Sequence, residues 1–220
     1  MQPQWEAVRQ RLLGQFAAQY ITLTSIIQSV ALGYLVTVFE RDGIAKRTEA
    51  WVLGVTMFAM IVDVWNEFRV GASTFLWYAR IWDALVLFLF GAIQLAMIGS
   101  LKDLEQLRWI WFCGYAGVFL VALCAYWNVG TMTRAHIDLN PTELRDQYLR
   151  SAWWLCGVGL VGASIVAGAV LVWKVSPVAG GLFDLALLVI FMLTRERTWT
   201  KMVRTIVIES GQEGKGTQGG

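Results

Sequence analysis

Asp63 and Glu67 lie one helical turn apart within a long apolar stretch, and Asp83 stands just inside the next one. A carboxylate set at mid-membrane costs roughly 2.5–3.5 kcal/mol on insertion scales, so each such residue needs a use. Asn66 lies beside the first pair, and Arg69 and Arg80 flank the short connection Gly71 to Tyr78. At 1.5 Å rise per residue Asp63 is about 9 Å from Arg69, the deepest of the three acids. Gln94 follows Asp83 by three turns on the same face, and Gln28 occupies an earlier stretch. If the helices bearing Gln28 and Gln94 are neighbours, these five residues could line a path for a cation or a proton. Each acid also has a structural use: Asp83 as a helix cap, Glu67 reaching to water, Asp63 paired with Arg80. Asp184, in the last apolar stretch, stands apart. Its most economical partner is Lys174 across the Ser176-Pro177 turn, with a second ion site as the alternative.

The elements that must position these residues are six apolar stretches, at 17–39, 46–68, 80–101, 107–129, 151–174 and 177–194. About 20 apolar residues cover a hydrocarbon core as helix, and only helices and closed barrels satisfy their backbone groups in lipid. A barrel requires apolar/polar alternation, whereas Ala84 to Met97 is interrupted only by Gly91 and Gln94. The expected fold is therefore all-α, a polytopic bundle of about six transmembrane helices spanning 17–194. Ten tryptophans (Trp51, Trp65, Trp77, Trp82, Trp109, Trp111, Trp127, Trp153, Trp154 and Trp173) fall near the ends of these stretches, as expected of a headgroup belt.

Charge sets the orientation. Of the 18 Lys and Arg residues, 12 lie on the side of the termini and 6 on the other. The positive-inside rule then puts both termini in the cytoplasm of a multi-pass cell (inner) membrane protein. A net charge of +2 gives no basis for binding nucleic acid. Residues 1–16 do not read as a cleaved signal peptide, because the apolar stretch that follows is too long.

Outside the bundle, Trp5, Val8, Leu12, Leu13 and Phe16 form one apolar face, predicting an interfacial amphipathic helix over 1–16. Trp199, Met202, Val203 and Ile206 repeat that pattern among Arg195, Arg197, Lys201 and Arg204, predicting a basic amphipathic helix over 195–210. Asn140-Pro141-Thr142-Glu143 reads as a helix start running through Arg145, Asp146 and Arg150 into the fifth stretch. Arg145, Trp199 and Arg204 are the expected contacts to lipid or to a partner protein. The glycine-rich tail 211–220 is expected to be disordered.

Two patterns concern packing. Ile27-Gln28, Gly33 and Leu35 recur at identical spacing as Ile93-Gln94, Gly99 and Leu101. Trp65-Asn66 and Trp51/Gly54 match Trp127-Asn128 and Trp111/Gly114. Either two related hairpins in parallel orientation or chance resemblance between apolar helices produces this. Gly159, Ala163 and Ala167 form a small-residue stripe that lets helices approach closely. Thr22, Ser25, Ser29, Gly33 and Thr37 form a polar stripe on the first helix, either packing glue or a conduit wall.

The remaining composition narrows the chemistry. The chain has one histidine, His136, placed in a loop, so bis-histidine haem ligation is excluded, and neither a metal nor a cofactor is expected. Cys113, Cys124 and Cys156 lie in apolar stretches without CxxC spacing and read as small apolar fillers. The Cys113–Gly117 run resembles a potassium filter only superficially, since it lies mid-helix. No nucleophile–base pairing marks an enzyme. Two functions are carried forward. One is a small cation or proton channel or transporter, a homo-oligomer in the bilayer. The other is a non-catalytic subunit of a membrane complex that recruits a partner.

Overall fold

The computed structural model describes residues 3–41, 44–75, 80–135 and 142–216, with side chains described over 15–41, 44–75, 80–134 and 142–204. Among the described residues the chain is all-helical. The long helices are α1 (Pro3–Glu40), α2 (Thr48–Thr74), α3 (Ile81–Ser100), α4 (Leu104–Ala135), α5 (Thr142–Leu171) and α6 (Pro177–Gly216). Single 3-10 turns at Ile44–Lys46 and Leu101–Asp103 precede α2 and α4. Five segments are long and apolar enough to cross a membrane: Gln15–Glu40, Thr48–Thr74, Ile81–Arg134, Thr142–Leu171 and Pro177–Arg204. The third holds both α3 and α4, which fold back on each other at the 3-10 turn.

Local chemistry sets the helix starts. Ser176 caps α6, its Oγ accepting the Val178 N–H at 3.3 Å, with Pro177 in the first turn where its missing N–H is harmless. Asp103 Oδ1 accepts the Gln106 N–H at 3.3 Å at the start of α4. Residues 3–16 and 195–210 belong to the unbroken helices α1 and α6, and α6 runs on through Gly216. Asn140 and Pro141, His136 and the end of the tail lie outside the described residues.

The α5–α6 turn depends on Lys174, whose backbone is left-handed at φ 53°. That turn lets the Val175 N–H reach back to the Ala169 carbonyl at 3.2 Å. An L-residue pays about 1–2 kcal/mol for this conformation and glycine does not. Lys174→Gly is therefore expected to stabilise the protein by about 0.5–1 kcal/mol, read as a higher thermal midpoint in detergent.

Helix neighbours define a closed ring in the order α1, α2, α6, α5, α4, α3, with α3 returning to α1. Directions alternate along the chain. Trp65 Nε1 donates to Ser25 Oγ at 3.0 Å and Phe39 stacks edge-on against Trp51, so α2 runs antiparallel to α1. Asn128 meets Asp83 while Gly114 faces Met97, so α4 runs antiparallel to α3. Gly91 faces Ile27 and Gly99 faces Tyr34, so α1 and α3 run parallel. The start of α1 and the end of α6 thus leave from one end of the ring.

The ring is apolar outside and holds its polar groups inside. Ile26, Phe58, Phe88, Val161, Ile165, Phe183 and Ile190 are exposed on the outer wall, whereas Gln28, Asp63, Asp83, Gln94, Asp184 and Arg195 are buried. Such a surface suits hydrocarbon and not water, where a soluble domain would face its charges outward. In lipid the helices associate through close packing and polar contacts rather than hydrophobic burial. Seven of the belt tryptophans (Trp51, Trp82, Trp109, Trp127, Trp153, Trp154 and Trp173) are exposed on this wall. Trp111 is not: it is fully buried, because it shares the inward face of α4 with Tyr115 and the neighbouring Phe112.

Close approach explains the small-residue stripe of α5. A Cβ at Gly159 would run into the Phe119 ring of α4, and Ala163 and Ala167 are buried on the same face. Gly159→Val is expected to destabilise the α4–α5 seam by about 1–3 kcal/mol, measurable as a lowered thermal midpoint, because the ring has to move. The polar stripe of α1 behaves as self-satisfied glue: Thr22, Ser25 and Thr37 hydroxyls donate to the carbonyls one turn back, and Ser29 and Gly33 face outward.

Candidate functional site: a central chamber with a buried ion pair

All six helices contribute to the wall of one central chamber of about 70 Å³, enough for a few waters. Aromatic rings dominate it: Tyr20, Phe68, Phe90, Tyr115, Phe119 and Tyr126 among them. The titratable acids on its wall are Asp63 and Glu67, both from α2. Their one-turn spacing stacks them along the bundle axis, about 6 Å apart in rise.

Glu67 is not directed to water. Arg195 of α6 grips it with one edge of the guanidinium, Nη2 donating to Oε2 at 2.7 Å and Nε to Oε1 at 3.0 Å. The Tyr126 hydroxyl donates to Oε2 at 2.6 Å and that of Tyr148 at 3.3 Å. Arg195 Nη1 also donates to Ser151 Oγ at 2.9 Å and to the Tyr148 carbonyl at 3.4 Å. Its guanidinium lies 4.3 Å from the Tyr148 ring centroid and 5.7 Å from that of Tyr126. Four helices (α2, α4, α5 and α6) thus meet in one polar layer. A bidentate pair with extra hydrogen bonds on both partners is the form in which a buried ion pair can offset its desolvation.

That layer is also a partition. Glu67 and Tyr148 border the chamber on one side and a small cleft with Asn66, Arg195 and Trp199 on the other. Asp63, one turn further in, is 8% exposed and makes no hydrogen bond among the described residues. No pairing of Asp63 with Arg80 is present, and Arg80 is exposed.

Asp83 caps α3, its Oδ2 accepting the Arg80 N–H at 2.8 Å and its Oδ1 a hydrogen from Asn128 Nδ2 at 2.7 Å. It does not border the chamber, although Tyr20, which does, lies within its electrostatic reach. Gln28 and Gln94 lie on the two helices of the α1–α3 seam, where Ile27 fills the space over Gly91, one turn before Gln94, but they do not bond to each other. Both are buried, and none of their four amide atoms has a hydrogen-bond partner among the described residues.

Asp184 corrects an expectation outright. It is buried on the inward face of α6, its carboxylate oxygens without a hydrogen-bond partner among the described residues, while Lys174 is exposed. The Ser176-Pro177 turn starts α6 with a register that points position 184 inward. The Tyr115 hydroxyl donates to the Asp184 carbonyl at 2.6 Å, and that phenol lies within electrostatic reach of both Asp184 and Asp63.

Of the expected surface contacts, Arg204 is exposed, Trp199 is half-buried against the bundle, and Arg145 is buried at 5% exposure. Trp199 and the buried Met202 turn the apolar face of this part of α6 onto the chain's own core. Cys113 and Cys124 face outward, and Cys156 borders the chamber. No group of three or more His, Cys, Asp or Glu side chains gathers as a metal site among the described residues.

Arg195, Tyr126 and Tyr148 are the site residues that sequence reasoning missed. In the sequence Arg195 reads as the first residue of a basic surface helix, because it begins a basic cluster. The available signal was its position directly after an unbroken apolar run, on a helix parallel to α2 and level with Glu67. Comparison of the chain with protein-family models, with curated proteins and with solved structures finds no match, so its site is read from its own geometry.

Proposed function

We propose that this chain crosses the cell (inner) membrane six times with both termini cytoplasmic, and that it conducts or carries a small cation or a proton through the central chamber. α3, with 20 residues, and α4, with 32, are each long enough to span a hydrocarbon core, which supports counting them separately. The alternating helix directions and the excess of Lys and Arg on the side of the termini support the orientation.

The observation that carries the function is Asp63: a carboxylate on the chamber wall, inside the bundle, with no hydrogen-bond partner among the described residues. Structural acids in membranes are paired, as Glu67 is, or cap a helix, as Asp83 does. Asp63 then receives the cation or proton. The Glu67–Arg195 layer, with Tyr126 and Tyr148, forms the cytoplasmic partition through which it passes. Gln28, Gln94 and Asp184 supply polar groups beyond the chamber. A chamber this narrow suits assembly as a homo-oligomer or as a subunit of a larger membrane complex. The test is flux of protons and of monovalent cations into liposomes holding the purified protein, wild type against Asp63→Asn. Wild-type flux that the variant loses supports the path; equal flux in both refutes it.

A second reading, a non-catalytic subunit that anchors a partner, has its own support. Arg197, Lys201 and Arg204 are exposed on α6 beyond the ion-pair layer, a basic face at the end of the bundle. It predicts the opposite pattern: Asp63→Asn is silent, and substitutions at Arg204 or Trp199 abolish capture of a cytoplasmic protein.

A further inference from the structure

Where α4 ends and α5 begins, a groove of about 560 Å³ lies open between them, lined by Trp127, Arg134, Arg145, Asp146, Arg150 and Trp153 among others. Arg134, Arg145 and Arg150 all line this groove together with Asp146, and all three cations act on the Asp146 carboxylate. One acid against three cations leaves the lining strongly positive. Arg134 and Arg150 are exposed and able to close on a ligand.

Arg145 is placed differently. It is 5% exposed, its Nε donates to Asp146 Oδ1 at 2.9 Å, and its Nη1 is buried without an acceptor among the described residues. A buried guanidinium held by a single exposed carboxylate is incompletely satisfied. A tetrahedral oxyanion completes it, because the guanidinium fork matches phosphate oxygens in pairs. The wall beside it is the edge-on pair Trp127–Trp153, 5.9 Å between centroids, with Trp154 exposed nearby. Indoles in this position mark the headgroup boundary of a bilayer.

The geometry points to a phosphate-binding site in this groove: it takes the phosphate group of an anionic molecule at the membrane surface. Arg145 forms its floor and Arg134 and Arg150 its rim. The site shares Tyr126 with the chamber wall but does not depend on the transport reading.

The test is thermal unfolding of the full chain in neutral detergent, titrated with dihexanoyl phosphatidylglycerol, inorganic phosphate or dihexanoyl phosphatidylcholine. Phosphatidylglycerol or phosphate is expected to raise the midpoint saturably, and the zwitterionic lipid is not. Arg134→Gln/Arg150→Gln, both at exposed positions, is expected to weaken that binding by at least about tenfold, the scale of one lost charge-assisted contact. Arg41→Gln/Lys46→Gln removes the same charge from exposed positions between α1 and α2 and is expected to leave binding within about twofold, since exposed distant charges are screened. A stronger response to the anionic lipid than to phosphate identifies a headgroup as the source; an equal response identifies a soluble phosphate. Equal stabilisation by all three compounds, or equal weakening by both double variants, overturns the site, as does no response to any. Arg145→Gln adds the floor of the site, and the rim variant decides the matter if that protein does not fold.

Discussion

Replacing Arg195 by Met is expected to cost about 3–5 kcal/mol of stability in detergent, because it leaves the Glu67 carboxylate buried without its counter-ion. The pair is well inside the protein, with side-chain exposures of 5% for Arg195 and 14% for Glu67. Solvent therefore screens it little, and the figure for a broken buried pair applies. Glu67→Gln alone leaves a guanidinium facing Tyr126, Tyr148 and Ser151, and its loss is expected to be smaller, since those groups still accept its hydrogens or face its charge. Glu67→Gln combined with Arg195→Met is expected to recover part of the loss of Arg195→Met alone, and the double-mutant cycle isolates the coupling. Additive effects in that cycle, with no recovery, would show that the ion pair is not what binds α2 to α6.

Asp63→Asn is expected to reduce flux to that of protein-free vesicles while leaving the folded protein intact. The substitution keeps shape and removes both the charge and the proton-accepting oxygen. Each 1.4 kcal/mol of lost attraction lowers site occupancy about tenfold, so even a modest contribution from the carboxylate makes a large difference in rate. With no hydrogen-bond partner to lose among the described residues, Asp63 has little structural role for the amide to disturb. Asp83→Asn is the matched control. Asp83 caps α3 through the Arg80 N–H, so this change is expected to lower stability by about 1 kcal/mol and leave flux largely in place. If Asp63→Asn conducts as the wild type does, the chamber is a packing feature, and the basic end of α6 becomes the part to pursue.

The repeat seen between the first two hairpins has one structural counterpart and several differences. α1 and α3 do run parallel, as two related hairpins require. Equivalent positions nevertheless make different contacts. Trp65 Nε1 binds Ser25, whereas Trp127 stacks on Trp153; Gly54 faces Phe39 near the end of α1, whereas Gly114 faces Met97. Asn128 holds Asp83, whereas Asn66 accepts from Arg69 at 3.0 Å. Shared spacing along a helix does not carry over when the neighbouring helices differ.

Much of the fold was legible because lipid imposes a one-dimensional rule. A chain that must satisfy every backbone group internally has to be helical wherever it is apolar for long enough, so composition alone located the long helices and their all-α class. Most of the expected tryptophan belt was legible for a similar reason, position along the axis being set by the water boundary; Trp111 is buried, Trp65 turns to Ser25, and Trp77 lies outside the described residues. Rotation about the axis was not legible. Asp184 and Lys174 are close in sequence, but the register of α6 after Ser176-Pro177 turns one inward and leaves the other outside. Arg145 and Arg195 both read as surface cations, and both are buried because the ring brings a neighbouring helix over them. The partner of Glu67 lies 128 residues away. No spacing within a helix can announce such a pair, since it exists only where α2, α4, α5 and α6 close into a ring. Sequence by itself determined that the acids lie within apolar helices. Only the tertiary structure decided which acid is paired, which caps a helix and which stands open to the chamber, because that depends on the faces that packing turns toward one another.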